Sequence, residues 1–310
     1  MGRIGNQRRT AVAALLATLA AVTSAAAQPP KSGAKTLVVV NGTEITERDL
    51  RTMMLSRGVP ESLRATVRPV LIERLIDDQL MREFLDGRKV TAPKVLLDRA
   101  VQRVEQSFRK KGLKPKEELK KLGLDEASLR RKLALPIAWN MYAKDNIDDR
   151  EIRAQFTKHR ARYDGTRLRA RQIVLKLPKD AAAMRQSVEK LDALRRDIVA
   201  GKHSFEAAAK KHSAAPSKNN GGDVGFFAFR GNMPREIAQV AFSLKGDEIS
   251  QPFVTQFGVH LLQITARKPG QLSLEDARPE IFRQLAQQRW NERVATLRKT
   301  AKIERKPAAK

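Results

Sequence analysis

The chain has 310 residues, of which 61 are Lys or Arg and 34 are Asp or Glu, for a formal charge of +27. That length suits about two domains of roughly 100–200 residues each, and 41% hydrophobic residues is the composition of a folded protein, not a disordered one. Cys is absent, which excludes a disulfide framework, a thiol nucleophile, thiolate zinc sites and iron–sulfur clusters together.

Residues 1–27 read as a secretory leader. Arg3, Arg8 and Arg9 make a basic start, a small apolar run follows over 11–22, and Ala25-Ala26-Ala27 supplies the small-residue cleavage pattern that places the mature start at Gln28. A run of about a dozen apolar residues falls short of the about 20 that a membrane span needs. Cleavage and export to the periplasm are therefore expected, with an uncleaved anchor as the alternative and the Sec or twin-arginine route left open. The leader removes three Arg and no acid, so the mature chain stays strongly basic. Such a charge attracts acidic polymers and acidic membrane surfaces. Zinc spacings and an RNA-binding aromatic motif are absent, and only 5% of residues are aromatic, which argues against nucleic acid as a partner. The four His (His159, His203, His212, His260) lack the spacing of a metal cluster, so no metal and no cofactor is expected.

After a Pro/Gly/Lys-rich stretch over 28–35, Leu37 to Val40 and Glu44-Ile45-Thr46 flank Asn41-Gly42, the signature of a tight hairpin. Thr46 with Asp49 three residues on forms a capping pattern that opens a helix through Leu50 and Met54. After Pro69, the residues Ile72, Ile76, Leu80 and Phe84 step by four and predict an amphipathic helix ending near Gly87. Another starts at Pro93 with Leu97, Val101, Val104 and Phe108 on one face, and shorter helices are expected over 117–122, 126–135, 137–144 and 150–159. A helical unit with a small N-terminal hairpin thus occupies 28–160.

At Thr166 the texture changes. The pattern predicts a strand over 168–177, a long helix over 181–200, a short helix capped by Ser204, and a polar Gly-rich loop over 213–225. A helix with Pro234 in its first turn then runs to Phe242, and strands over 253–255 and 259–265 close the unit. The order β-α-α-loop-α-β-β is that of a compact α+β domain. A last amphipathic helix over 279–301 carries Ile281, Leu285, Trp290, Val294 and Leu297. It is expected to pack back on the first unit, with the polar tail IERKPAAK frayed beyond it.

Six segments stand in order in the second unit: Gly201-Lys202-His203-Ser204-Phe205, Gly221-Gly222-Asp223-Val224-Gly225, Arg230-Gly231-Asn232-Met233-Pro234, Ala241 to Gly246, Glu248-Ile249-Ser250, and Thr255-Gln256-Phe257-Gly258-Val259-His260. Together they resemble the parvulins, small peptidyl-prolyl isomerases, over 166–269. The preceding half, with Val39-Val40-Asn41-Gly42, Ile45-Thr46 and several helices, is similar to the N-terminal part of SurA-type chaperones, in which a C-terminal helix returns to the N-terminal helices. The resemblance implies an α+β fold in two parts: a helical SurA-like domain over 28–160 completed by residues 270–310, and one parvulin-like domain.

The reaction implied is rotation about an X–Pro bond, whose barrier is about 20 kcal/mol and which takes tens of seconds or longer uncatalysed. No bond breaks, so an apolar cup for the proline ring and polar groups matched to the twisted amide suffice. By resemblance, Val224, Met233, Ile237 and Phe242 form the cup, and Gln172, Thr255 and His260 are the polar members. The chain departs from the family pattern at Gln172, where His is usual, at Ala215, where Cys or Asp is usual, and at Ile237, where an aromatic is usual. His260 is either a site residue or a core histidine satisfied by Thr255. The partners implied are unfolded exported polypeptides with X–Pro bonds. Two readings stand: an exported isomerase with chaperone character, or a pure chaperone whose parvulin domain binds without accelerating rotation. A third, a basic protein tethering acidic polymers, accounts for the charge but not for the domain. Met53, Met54, Met81 and Met141 are candidates for adaptable client contacts or for core packing.

Overall fold

The computed structural model describes residues 35–178 and 180–306; the leader and the mature start at Gln28 lie outside the described residues. Strands β1 (Thr36–Val40) and β2 (Thr43–Thr46) form the expected hairpin around Asn41-Gly42. Thr46 then caps α1 (Glu47–Ser56) in a reciprocal arrangement with Asp49 that satisfies N–H groups at the helix start.

Helices α2 (Arg64–Asp86), α3 (Lys94–Arg109), α4 (Pro115–Lys121), α5 (Glu126–Asn146), α6 (Asp149–Lys158) and the short α7 (Arg160–Tyr163) complete the first unit. Two boundaries differ from expectation, both at proline. The α2 helix starts before Pro69, and α5 runs unbroken through Pro136, where two helices were expected. An internal Pro forfeits one backbone hydrogen bond and crowds the preceding turn. Burial outweighs that loss: Leu71, Ile76 and Leu80 follow Pro69, and Leu135, Ala138 and Trp139 flank Pro136, all of them core residues.

The second unit consists of β3 (Arg167–Leu175), α8 (Ala181–Val199), α9 (Phe205–His212), β4 (Asp223–Ala228), α10 (Arg235–Ala241), β5 (Phe253–Thr255) and β6 (Gly258–Lys268). Its antiparallel sheet has the order β4-β3-β6-β5. The Gly-rich loop read over 213–225 is shorter than expected, because Asp223 to Ala228 pair with β3 as an edge strand. Helices α8 and α9 cover one face of the sheet through Ile173, Leu191, Phe205, Val259 and Leu261. The opposite face carries α10 and the candidate site.

Helix α11 (Leu274–Arg298) starts five residues before Pro279, capped by Ser273 and Asp276, and returns to the first unit as expected. Trp290 sits edge-to-face on Trp139 of α5 at 5.3 Å, inside a core shared with Met81, Leu85 and Ile281. Arg298 grips Asp77 and Glu73 of α2 at 2.7 and 3.0 Å. The tail is not frayed where Ile303–Arg305 form β7, a third strand pairing with β1. No described helix is long and apolar enough to cross a membrane.

Candidate active site

Strand β3 supplies two faces by its period of two. Ile173 and Leu175 point to α8 and α9, while Leu168 and Ala170 belong to the other face, on the same side as Gln172 and Val174. The register of β6 places Val174 opposite His260 and Gln172 opposite Leu262, and β5 places Phe253 opposite His260 from the other side. His260 therefore lies between two strands, with the Phe253 ring stacked on the imidazole at 5.2 Å.

Thr255 and His260 are brought together. The Thr255 hydroxyl lies 2.8 Å from His260 Nε2 and accepts a hydrogen bond from the Phe257 N–H at 3.1 Å. His260 is only 2% exposed, and its Nδ1 has no partner among the described residues. Burial holds its pKa below the usual imidazole value, because the charged form would lose its hydration. A neutral ring can serve the Thr255 hydroxyl as donor or acceptor, according to its tautomer, without placing a net charge in these apolar surroundings.

The edge of β3 beyond β4 is closed by a loop. Gln172 N–H donates to Gly222 O at 2.9 Å, and Ala214 N–H donates to Val174 O at 2.7 Å. Ser213 Oγ accepts from both Val174 and Ala215 N–H at 3.1 Å. These bonds set Gly222 and Ala215 beside the strand that carries Gln172. At Gly222 a Cβ would stand 2.5 Å from Gln172 O, so no other residue fits there. Ala215 is a buried methyl where an acidic or thiol side chain would have added a polar group. The Gln172 amide makes no hydrogen bond among the described residues and is half-buried. Just outside, Arg169 clasps Asp223, and that contact holds the Asp223 carboxyl below its usual range.

The apolar members divide into floor and wall. Ile237 and Phe242 are 4% and 9% exposed and pack with Leu168, Phe227, Leu262 and Ile264. Val224 and Met233 rest on that cluster and remain half-exposed, so they carry most of the surface a proline ring could meet. Two aromatics missed in the sequence belong here. Phe229 packs edge-to-face on Phe242 at 5.3 Å, and Phe253 covers His260. The signal for Phe253 was its position two residues before Thr255, on the same strand face; for Phe229 the sequence held none. Among the described residues, no group of three or more His, Cys, Asp or Glu is arranged to hold a metal ion.

In the helical unit, Met53, Met54 and Met81 are buried, which favours core packing of the two roles open to them; Met141 is half-buried. A cavity of about 280 Å³ lies between α1 and α2, with Met54, Leu55 and Ala65 next to Arg51, Arg64 and Arg68.

Residues 173–266 match the family model described as the rotamase, PPIC-type PPIase domain, a span holding every candidate site residue except Gln172. The peptidyl-prolyl cis-trans isomerase Pin1 of Arabidopsis thaliana is 38% identical over 95 residues, covering 31% of this chain and 75% of that one. The putative peptidyl-prolyl cis-trans isomerase SurA of Haemophilus influenzae is 28% identical over 318 residues, covering 94% of this chain and 95% of that one. The chaperone SurA of a Polaromonas species is 40% identical over 114 residues; the match spans 36% of this chain and only 24% of that relative.

Proposed function

This chain belongs to the parvulin-type peptidyl-prolyl cis-trans isomerases and has a SurA-like architecture, and we propose that it rotates X–Pro bonds in unfolded exported polypeptides while holding them against aggregation. The observation that carries this reading is the half-exposed Val224 and Met233 wall on the same sheet face as the buried Thr255–His260 pair. The wall would take the proline ring through apolar burial, while the hydroxyl, the imidazole and the Gln172 amide would match the carbonyl as it leaves the amide plane. Ile237 and Phe242 would act from behind, as the floor of the cup. Relatives named as chaperones support client binding, and the cavity between α1 and α2, where Met54, Leu55 and Ala65 lie beside Arg51, Arg64 and Arg68, would take a short apolar client segment that carries an acidic residue. The leader-like sequence over 1–27 supports export to the periplasm, and the charge of +27 supports weak attraction to acidic membrane surfaces.

A pure chaperone is the second reading, favoured by Gln172 and Ala215, which leave the site with fewer polar side chains than the family pattern. The two are separated by refolding a client whose slow phase is limited by an X–Pro bond. Catalytic amounts of the protein should shorten that phase if it is an isomerase. A pure chaperone would suppress aggregation at stoichiometric amounts and leave the phase time constant unchanged.

A further inference from the structure

We propose that the helical unit completes the isomerase cup: Arg162 of α7 and Glu280 of α11 act as positioning residues for the 229–233 loop that carries Met233. The inference rests on the isomerase reading above. Residues 229–233 have no regular backbone structure, so the loop's shape depends on what its side chains hold. One anchor lies inside the domain, where Phe229 meets Phe242. The others come from outside it. The Arg162 guanidinium stands 5.1 Å from the centre of the Phe229 ring, Ala161 joins the apolar cluster under the cup, and Arg230 pairs with Glu280. Met233 follows Arg230 by three residues, so the wall of the cup starts from a point fixed by the other unit.

The connections between the units are braced in a way that can hold this docking. The Thr166 N–H and hydroxyl donate to Asp164 Oδ1 at 2.9 and 2.6 Å, and Gly270 N–H donates to Thr166 Oγ1 at 3.1 Å. Leu272 N–H donates to Asp164 O at 2.9 Å. Asp164 and Thr166 are both buried. The incoming and outgoing chains touch at backbone distance, since a Cβ on Gly270 would stand 1.9 Å from Asp164 O. They form one brace instead of two loose tethers, which sets α7 and the first turns of α11 against the loop.

The test uses the full chain with Glu280→Lys, with Arg162→Ala, and with the charge swap Arg230→Glu plus Glu280→Arg, each measured for KM and kcat on an X–Pro peptide. Glu280→Lys and Arg162→Ala should each raise KM roughly three- to tenfold, the scale of one or two weak contacts. Their kcat should stay within about twofold, because the Thr255–His260 pair is untouched, and the swap should restore KM. A purely structural role would instead lower the thermal midpoint and leave KM alone. Values of KM within about twofold of wild type in both single variants, or a swap that fails to restore it, would overturn the proposal. If Glu280→Lys does not fold, the exposed Arg230→Gln makes the same comparison. The Kd of the same peptide, read by fluorescence anisotropy, keeps the two claims apart. Absent turnover with intact binding defeats the isomerase reading, whereas an unchanged Kd in the variants defeats this one.

Discussion

Replacing Thr255 by Val removes one oxygen and keeps the shape of a β-branched side chain in strand β5. That oxygen is the partner of His260 Nε2 at 2.8 Å and of the Phe257 N–H at 3.1 Å. The Phe257 N–H lies at an exposed turn and can turn to water. The imidazole cannot, because it is 2% exposed and its other nitrogen already has no partner among the described residues. A buried polar group left unsatisfied costs about 1–3 kcal/mol, so Thr255→Val should lower the unfolding free energy by about 2 kcal/mol. Thr255→Ser keeps both bonds and gives up one methyl, a loss of about 1 kcal/mol. Urea unfolding followed by tryptophan-independent circular dichroism gives both values, and the slope with denaturant should stay constant across the series. The isomerisation rate should fall with Val and persist with Ser. A Val variant with the wild-type denaturation midpoint and the wild-type rate would show that the hydroxyl does not support His260, and the polar half of the site would have to be reassigned.

Met233→Ala should cost most of any rate enhancement and raise KM, on the order of 2–3 kcal/mol in kcat/KM, because it strips one of the two half-exposed side chains of the cup wall. Gln172→His should leave the rate unchanged or raise it, and a tenfold loss would show that the amide is itself required. Burial lowers the folded-state pKa of His260. Its contribution to stability is therefore present above the unfolded value of about 6.5 and is lost as pH falls through the depressed folded value, where only the unfolded chain binds the proton readily. The stability difference between wild type and His260→Gln, measured by urea unfolding from pH 8 to pH 5, should shrink in that direction. Trp290→Ala should destabilise the helical unit by about 3–5 kcal/mol, since it empties a buried edge-to-face contact with Trp139. A shift of the thermal midpoint below about 2 °C would contradict the packing of α11 on that core.

Local signals were readable where the chain itself enforces them. Asn41-Gly42 and the Thr46/Asp49 cap need only their immediate neighbours, and both stand as expected. Proline misled where tertiary packing overrides a local penalty: Pro69, Pro136 and Pro279 all lie inside helices, because each helix buries an apolar stripe beyond its proline. Strand β4 was hidden by the glycines before it, and β7 by its polar residues; both become strands only because β3 and β1 present an open edge to pair with. The candidate site divides along the same line. Thr255, His260, Val224 and Met233 could be named from motif resemblance, whereas the stacking of Phe253 on His260 and the bonds from Ser213 arise from register between segments far apart in the chain. The Arg230–Glu280 pair depends on how two units dock, which no local pattern records.

We expect the face holding Met233, Thr255 and His260 to accelerate rotation about an X–Pro bond. A protease-coupled assay tests it directly: a peptide is cleaved only when its X–Pro bond is trans, and the rate of cis-to-trans conversion is read with and without the purified protein. The expected result is a rate above background that rises linearly with protein concentration and collapses in Met233→Ala. A wild-type rate equal to background, while the same preparation still suppresses client aggregation, would contradict it.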